Sequence, residues 1–285
     1  MNVLTIARLT VKEASRRRLL FALLVLTLIV IALTGWGFQK ITTVTDPRGN
    51  PISTAEIKTF TSQLLIMVMF MFSGVLALSS VFVAAPSISG ELESGTALAI
   101  VARPLRRLEV VLGKWLGFAF LIAVYTVGST TLELLVVRWA TGYLPPHPVQ
   151  MDAYLIAEGL VLMSLALLFS TRFSGMTGGI IALVMFFMAW MGGITGGIGA
   201  ALGNDTITHI GTASRLLLPT DGLWRGAIYA LEPASILALA SAGRQVAANP
   251  FFASTPPAAL YLAWVAGWVA VAVGGTIWSF NRREV

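Results

Sequence analysis

Long apolar runs alternate with short polar stretches along this chain, and six of the runs are long enough to cross a bilayer. They cover residues 19–38, 64–88, 115–137, 153–171, 174–203 and 258–280. A helix needs about 20 apolar residues for the crossing, since each residue rises about 1.5 Å and the backbone must satisfy its own hydrogen bonds in hydrocarbon. Four runs hold no charge, the third holds Glu133, the fourth holds Glu158, and none contains aspartate. The pattern predicts an all-α integral membrane fold, a single transmembrane domain over residues 1–285, with both chain ends on one side because the crossings are even in number.

The segments between the runs differ in kind. In residues 1–18, Val3, Leu4, Ala7, Val11 and Ala14 share one helical face with Arg8, Lys12 and Arg16 roughly opposite, which predicts an amphipathic helix lying along the membrane. Arg16-Arg17-Arg18 before an apolar run also opens signal peptides. Here the run continues through Gly35-Trp36-Gly37 to Phe38 without a small-x-small cleavage site, so a retained first span is expected. Residues 39–63 carry a turn at Asp46-Pro47-Arg48-Gly49-Asn50-Pro51, and Ser53-x-x-Glu56 fits a capping box that starts the second helix outside the bilayer. Residues 204–257 contain two short apolar segments, 223–231 and 234–242, separated by Glu232-Pro233. Both are too short to span and are predicted as interfacial or re-entrant helices of an outer loop. The alternative, a broken seventh span, would set Arg282-Arg283 against the charge bias.

That bias is strong. Of nineteen lysines and arginines, twelve (Arg8, Lys12, Arg16, Arg17, Arg18, Arg103, Arg106, Arg107, Lys114, Arg172, Arg282 and Arg283) fall on the side of the termini, which predicts a multi-pass protein of the cytoplasmic (inner) membrane with both ends inside. The apolar share of 56% against 11% charged residues agrees, and topology accounts for the net charge of +6 without nucleic acid as a partner. With no cysteine and two histidines, thiolate and multi-histidine metal sites are excluded. Gly113-Lys114 lacks the earlier glycine and the following Ser/Thr of a phosphate-binding loop, Leu108 and Trp115 standing there, and no hydrolase dyad falls within a span. The chain is expected to be non-catalytic and to hold no cofactor.

Two features of the spans invite function. Glu133 and Glu158, placed toward the outer ends of their runs, are either interfacial charges, Glu133 within reach of Arg138, or the polar lining of an exit path. Gly192 with Gly196 and Gly193 with Gly197 form overlapping small-xxx-small pairs, which serve internal packing, a dimer seam or a pathway wall. The aromatics Trp36, Trp139, Tyr143, Tyr154, Trp224 and Tyr229 fit an outer interfacial belt.

The densest charge lies in residues 89–114. Glu91 and Glu93 precede a short apolar stretch, Pro104 interrupts it, and Arg103, Arg106, Arg107 and Lys114 follow, so the segment predicts a cytoplasmic elbow with a docking surface. Glu91-x-Glu93-x-Gly95-Thr96, Arg103-Pro104, Arg106-Arg107 and Gly113-Lys114-Trp115-Leu116-Gly117 resemble the signature of ABC-2 type transporter permeases, in particular the six-span NosY-like branch. The N-terminal amphipathic segment, Leu218-Pro219-Thr220-Asp221-Gly222-Leu223-Trp224-Arg225 and the closing Phe280-Asn281-Arg282-Arg283-Glu284 are similar to that family too.

The resemblance implies a non-catalytic permease subunit of an ATP-binding cassette exporter. It would pair with a second permease, identical or different, and with two cytoplasmic ATPase subunits that carry ATP and magnesium. Docking would fall to Glu91, Glu93, Gly95, Thr96, Arg103, Pro104, Arg106, Arg107 and Lys114. The copper chemistry linked to the NosY-like branch finds no echo, since Met67, Met69 and Met71 diverge around a helix. A stand-alone six-span ion-coupled carrier or a membrane scaffold is the competing class, and a carrier would want ionisable groups at the midplane.

Overall fold

The computed structural model describes residues 3–16, 18–44, 52–93, 106–240 and 249–282, which form helices and their connections. Helix α1 (Val3–Ser15) precedes α2 (Arg18–Ile41); α3 (Thr54–Ala84) runs into the short α4 (Pro86–Glu93); then come α5 (Arg107–Thr141), α6 (Pro148–Ser170) and α7 (Gly175–Leu202). Three short helices, α8 (Asp205–Leu217), α9 (Thr220–Leu231) and α10 (Ala234–Ala240), lead to α11 (Ala259–Asn281). Six helical stretches are long and apolar enough to span a membrane: α2, α3 continued through α4 to Gly90, α5, α6, α7 and α11. The fold is all-α and integral to the membrane, as the apolar pattern predicts. Because the spans alternate in direction, α1, α4 and the start of α5 lie at one end of the bundle, here the basal end, and α8, α9 and α10 cover the other, the capped end.

Local chemistry sets the helix limits, and several lie beyond the apolar runs. The capping box forms: the Glu56 amide donates to Ser53 Oγ at 3.3 Å and the Ser53 amide donates to Glu56 Oε2 at 2.8 Å, so α3 begins well ahead of residue 64. Pro148 opens α6, where a missing N–H costs nothing, and the helix therefore takes in Asp152. The expectation that no span holds an aspartate is thus corrected. Helices α5 and α7 end on Gly142 and Gly203, whose φ angles of 69° and 68° favour glycine. At 35 residues α5 is about 50 Å long, longer than the ~30 Å of hydrocarbon, so part of it stands outside the bilayer.

The second apolar run lies within one spanning stretch from Thr54 to Gly90, with a turn at Ala85 where Pro86 starts α4 against Gly175. A side chain at Gly175 would begin 2.7 Å from Pro86 Cα. Residues 205–217, read as loop, form α8, whose N-cap is Asn204 accepting from the Ile207 amide at 3.1 Å.

Helix α6 is the hub. It is the most buried of the spanning helices, packed by α3, α5, α7, α9 and α11, whereas α2 and α11 leave most of their own surface uncovered by the rest of the chain. Short α9 enters the bundle rather than lying on it, with Leu223, Ile228 and Leu231 fully buried and Trp224 only 2% exposed. Trp224 therefore leaves the expected interfacial belt for an aromatic cluster, 5.5 Å from Phe70, which also meets Trp190 at 5.2 Å and Phe251 at 5.3 Å. Trp36 and Trp139 do face outward, at 63% and 76% exposure.

Candidate functional site

At the basal end α1 lies across the first turns of α5, on a seat made of two glycines. A side chain at Gly113 would begin 2.5 Å from Ile6 Cβ, and one at Gly117 would begin 2.8 Å from the Ala7 carbonyl oxygen. The buried stripe of α1 is accordingly Ile6, Thr10 and Ala14, while Leu4 of the apolar face is not covered by the rest of the chain. Between the two glycines, Lys114 is 5% exposed and donates to the Ser87 carbonyl of α4 at 2.7 Å. This residue, expected on a docking surface, points into the chain and joins α5 to the start of the elbow.

The neighbouring arginines are divided. Arg107 donates from Nη1 to the carbonyls of Phe280 at 2.7 Å and Asn281 at 3.1 Å, covering the acceptors that the last turn of α11 leaves open. Arg172 Nε binds Ser279 Oγ at 2.9 Å, a second tie to α11. Arg106, at the N-cap of α5, is exposed. The backbone of Glu91 and Glu93 belongs to the last turn of α4. Gly95, Thr96, Arg103 and Pro104 lie outside the described residues.

Within the bundle the two predicted glutamates are buried and hydroxyl-bonded. Glu158 sits ten residues into α6, about 15 Å from its start and near the middle of the helix, not toward the edge as expected. Both its carboxylate oxygens lie 3.0 Å from the Ser73 hydroxyl of α3. Glu133 accepts from the Thr34 hydroxyl of α2 at 3.0 Å rather than pairing with Arg138, and its Oε1 has no partner. Two more hydroxyl contacts join α5 to its neighbours: Tyr125 with Thr27 of α2 at 2.6 Å, and Thr130 donating to Asp152 of α6 at 2.6 Å. Met69 is buried while Met67 and Met71 are exposed, so the three methionines do not converge.

At the capped end the glycine ladder of α7 faces α8 of the same chain. A side chain at Gly196 would begin 2.7 Å from Gly211 Cα, one at Gly199 2.6 Å from the Thr208 amide, and one at Gly192 would meet Ser214. Gly193 looks onto the Asp221 carboxylate, and Gly197 is buried on α7. Asp221 Oδ2 accepts from Arg215 Nε at 2.7 Å and Arg225 Nε at 3.2 Å, while the Nη2 groups of both arginines reach the Gly193 carbonyl, at 3.5 and 3.1 Å. This clamp fixes α9 against α7 and α8.

Next to it, Glu232 at the α9–α10 junction is fully buried with neither oxygen hydrogen-bonded. Burial raises its carboxyl to about 7, and the nearby Gln63 amide offsets only part of that. The Tyr143 hydroxyl donates to the Leu231 carbonyl at 2.8 Å, and burial together with the Glu232 charge holds it above its ordinary value.

Sequence reasoning missed the Asp221 clamp and the hydroxyl contacts of α5. The second had a signal, because Thr126, Thr130 and Glu133 recur at i, i+4 and i+7 in an otherwise apolar helix. A family model described as "ABC-2 family transporter protein" matches residues 4–285. No curated protein matches the chain.

Proposed function

The chain belongs to the ABC-2 transporter family, and from that premise we propose that it is the permease subunit of an ATP-driven exporter in the cytoplasmic membrane. In this reading the basal end is cytoplasmic and both termini are inside. Two separate ATPase subunits supply ATP, magnesium and hydrolysis, and a second permease, identical or not, completes the transport unit. The observation that carries the proposal is the basal assembly: α1, α4 and α5 meet at Gly113, Lys114 and Gly117, so a push on the elbow moves the start of α5 and the continuation of α3 together. Such rigid coupling is what a permease needs to turn closure of an ATPase pair into helix movement.

Docking then falls to the elbow and its flanks, Glu91, Glu93, Gly95, Thr96, Arg103, Pro104 and Arg106. Lys114 ties α5 to α4 from within, and Arg107 ties the start of α5 to the end of α11. The test is co-purification with the candidate ATPase while both Glu91→Lys and Arg106→Glu are present. Complex formation and stimulated ATP hydrolysis should fall together. If both persist at wild-type level, the docking surface lies elsewhere.

A second reading, an ion-coupled carrier, draws on the mid-helix position of Glu158. Transport that continues when the ATPase subunits are disabled for hydrolysis would favour it.

A further inference from the structure

The acids of this bundle are met differently: Glu158 has the Ser73 hydroxyl, and Glu232 has no hydrogen bond on either oxygen. Asp221 has two arginines. Glu133 and Asp152 have only hydroxyls, Thr34 on one and Thr130 on the other, and among the described residues neither forms an ion pair. Both belong to membrane-spanning helices, where an ionised group without a countercharge is costly.

The geometry around them is that of a polar seam. Thr126, Thr130 and Glu133 share one face of α5; α2 contributes Thr27 and Thr34, and α6 contributes Asp152. Glu133 is fully buried with Oε1 unpartnered, and Thr126, 2% exposed and two turns away on the same face, also has its hydroxyl unpartnered. The seam therefore holds two acids and two open hydrogen-bonding oxygens, and among the described residues no positive side chain is paired with either acid. Its outer wall is α2, most of whose surface is left uncovered by the rest of the chain and which meets α5 through hydroxyl contacts and the close approach of Gly35 to Val136.

We infer that the seam between α2, α5 and α6 binds the cationic group of a membrane-soluble amphiphile. Glu133 and Asp152 supply the charge that meets it. The apolar part of such a molecule lies along α2 in the lipid. As a cargo site the seam rests on the export reading above; as a cation site it does not.

The probe is tetraphenylphosphonium, measured by equilibrium dialysis against the complete chain in zwitterionic nanodiscs without nucleotide, with empty nanodiscs subtracted. Saturable binding is expected, weakened about tenfold by Glu133→Gln and further by adding Asp152→Asn. Thr34→Val, which removes a hydroxyl and leaves the charge, should bind within about twofold of wild type. If Glu133→Gln fails to fold, Asp152→Asn alone should still weaken binding. Absence of saturable binding, wild-type affinity in the acid variants, or equal loss in Thr34→Val would overturn the inference, the last because it marks a structural hydrogen-bond network. The elbow experiment above can succeed or fail independently of this one.

Discussion

Glu232 gives the sharpest handle on the capped end, because its carboxyl lies outside the spanning helices and ionises near 7 instead of 4.5. A group whose proton affinity is raised on folding favours the folded state fully below its ordinary value, and that contribution is lost as the pH climbs through the folded value. For Glu232 the window is pH 4.5 to about 7, and at about 1.4 kcal/mol per tenfold change in proton affinity the total reaches about 3 kcal/mol. The loss should centre on α9 and α10, since Glu232 sits at their junction with neither oxygen hydrogen-bonded. Hydrogen exchange of these two helices from pH 4.5 to 8.5, corrected for the intrinsic rate, should show protection falling as the pH approaches 7 and levelling above it. Glu232→Gln should flatten the profile and leave the cap better protected than wild type at pH 8. A wild-type profile without slope, or a slope that survives in Glu232→Gln, would refute the argument, since every other titrating group is common to both proteins.

Two more outcomes follow from close approaches. Gly193→Ala should destabilise the protein by about 2–4 kcal/mol, because the new methyl displaces an Asp221 carboxylate that two arginines hold in place. Thermal unfolding checks this, and the loss should shrink in an Asp221→Ala background if the collision is the cause. Gly117→Leu should lift α1 from α5 at Thr10 while the six spanning helices stay folded, seen as loss of exchange protection confined to residues 3–15.

What could be read from sequence was whatever depends on neighbours along the chain. Twenty-odd apolar residues announce a span by themselves, and Ser53 with Glu56 announces a helix start because the cap is closed within one turn. The edges of spans were harder. Asp152 escaped because the apolar run opens one residue later, although Pro148 marks where a helix can begin without losing a donor. Helix α8 escaped because the face it packs on α7 is made of small and polar residues, Thr208, Gly211 and Ser214, which carry no apolar stripe.

Pairing was illegible for a different reason. Glu158 meets Ser73 across 85 residues, Glu133 meets Thr34 across 99, and the Gly192–Gly196 ladder finds Gly211 and Ser214 only because Gly203 turns the chain back on itself. A glycine repeat states that something comes close, not what. An acid in a span likewise states a cost without naming what meets it. In this chain hydroxyls meet it at Glu133 and Glu158, whereas outside the spans Asp221 is met by two arginines, a difference invisible until the helices are packed.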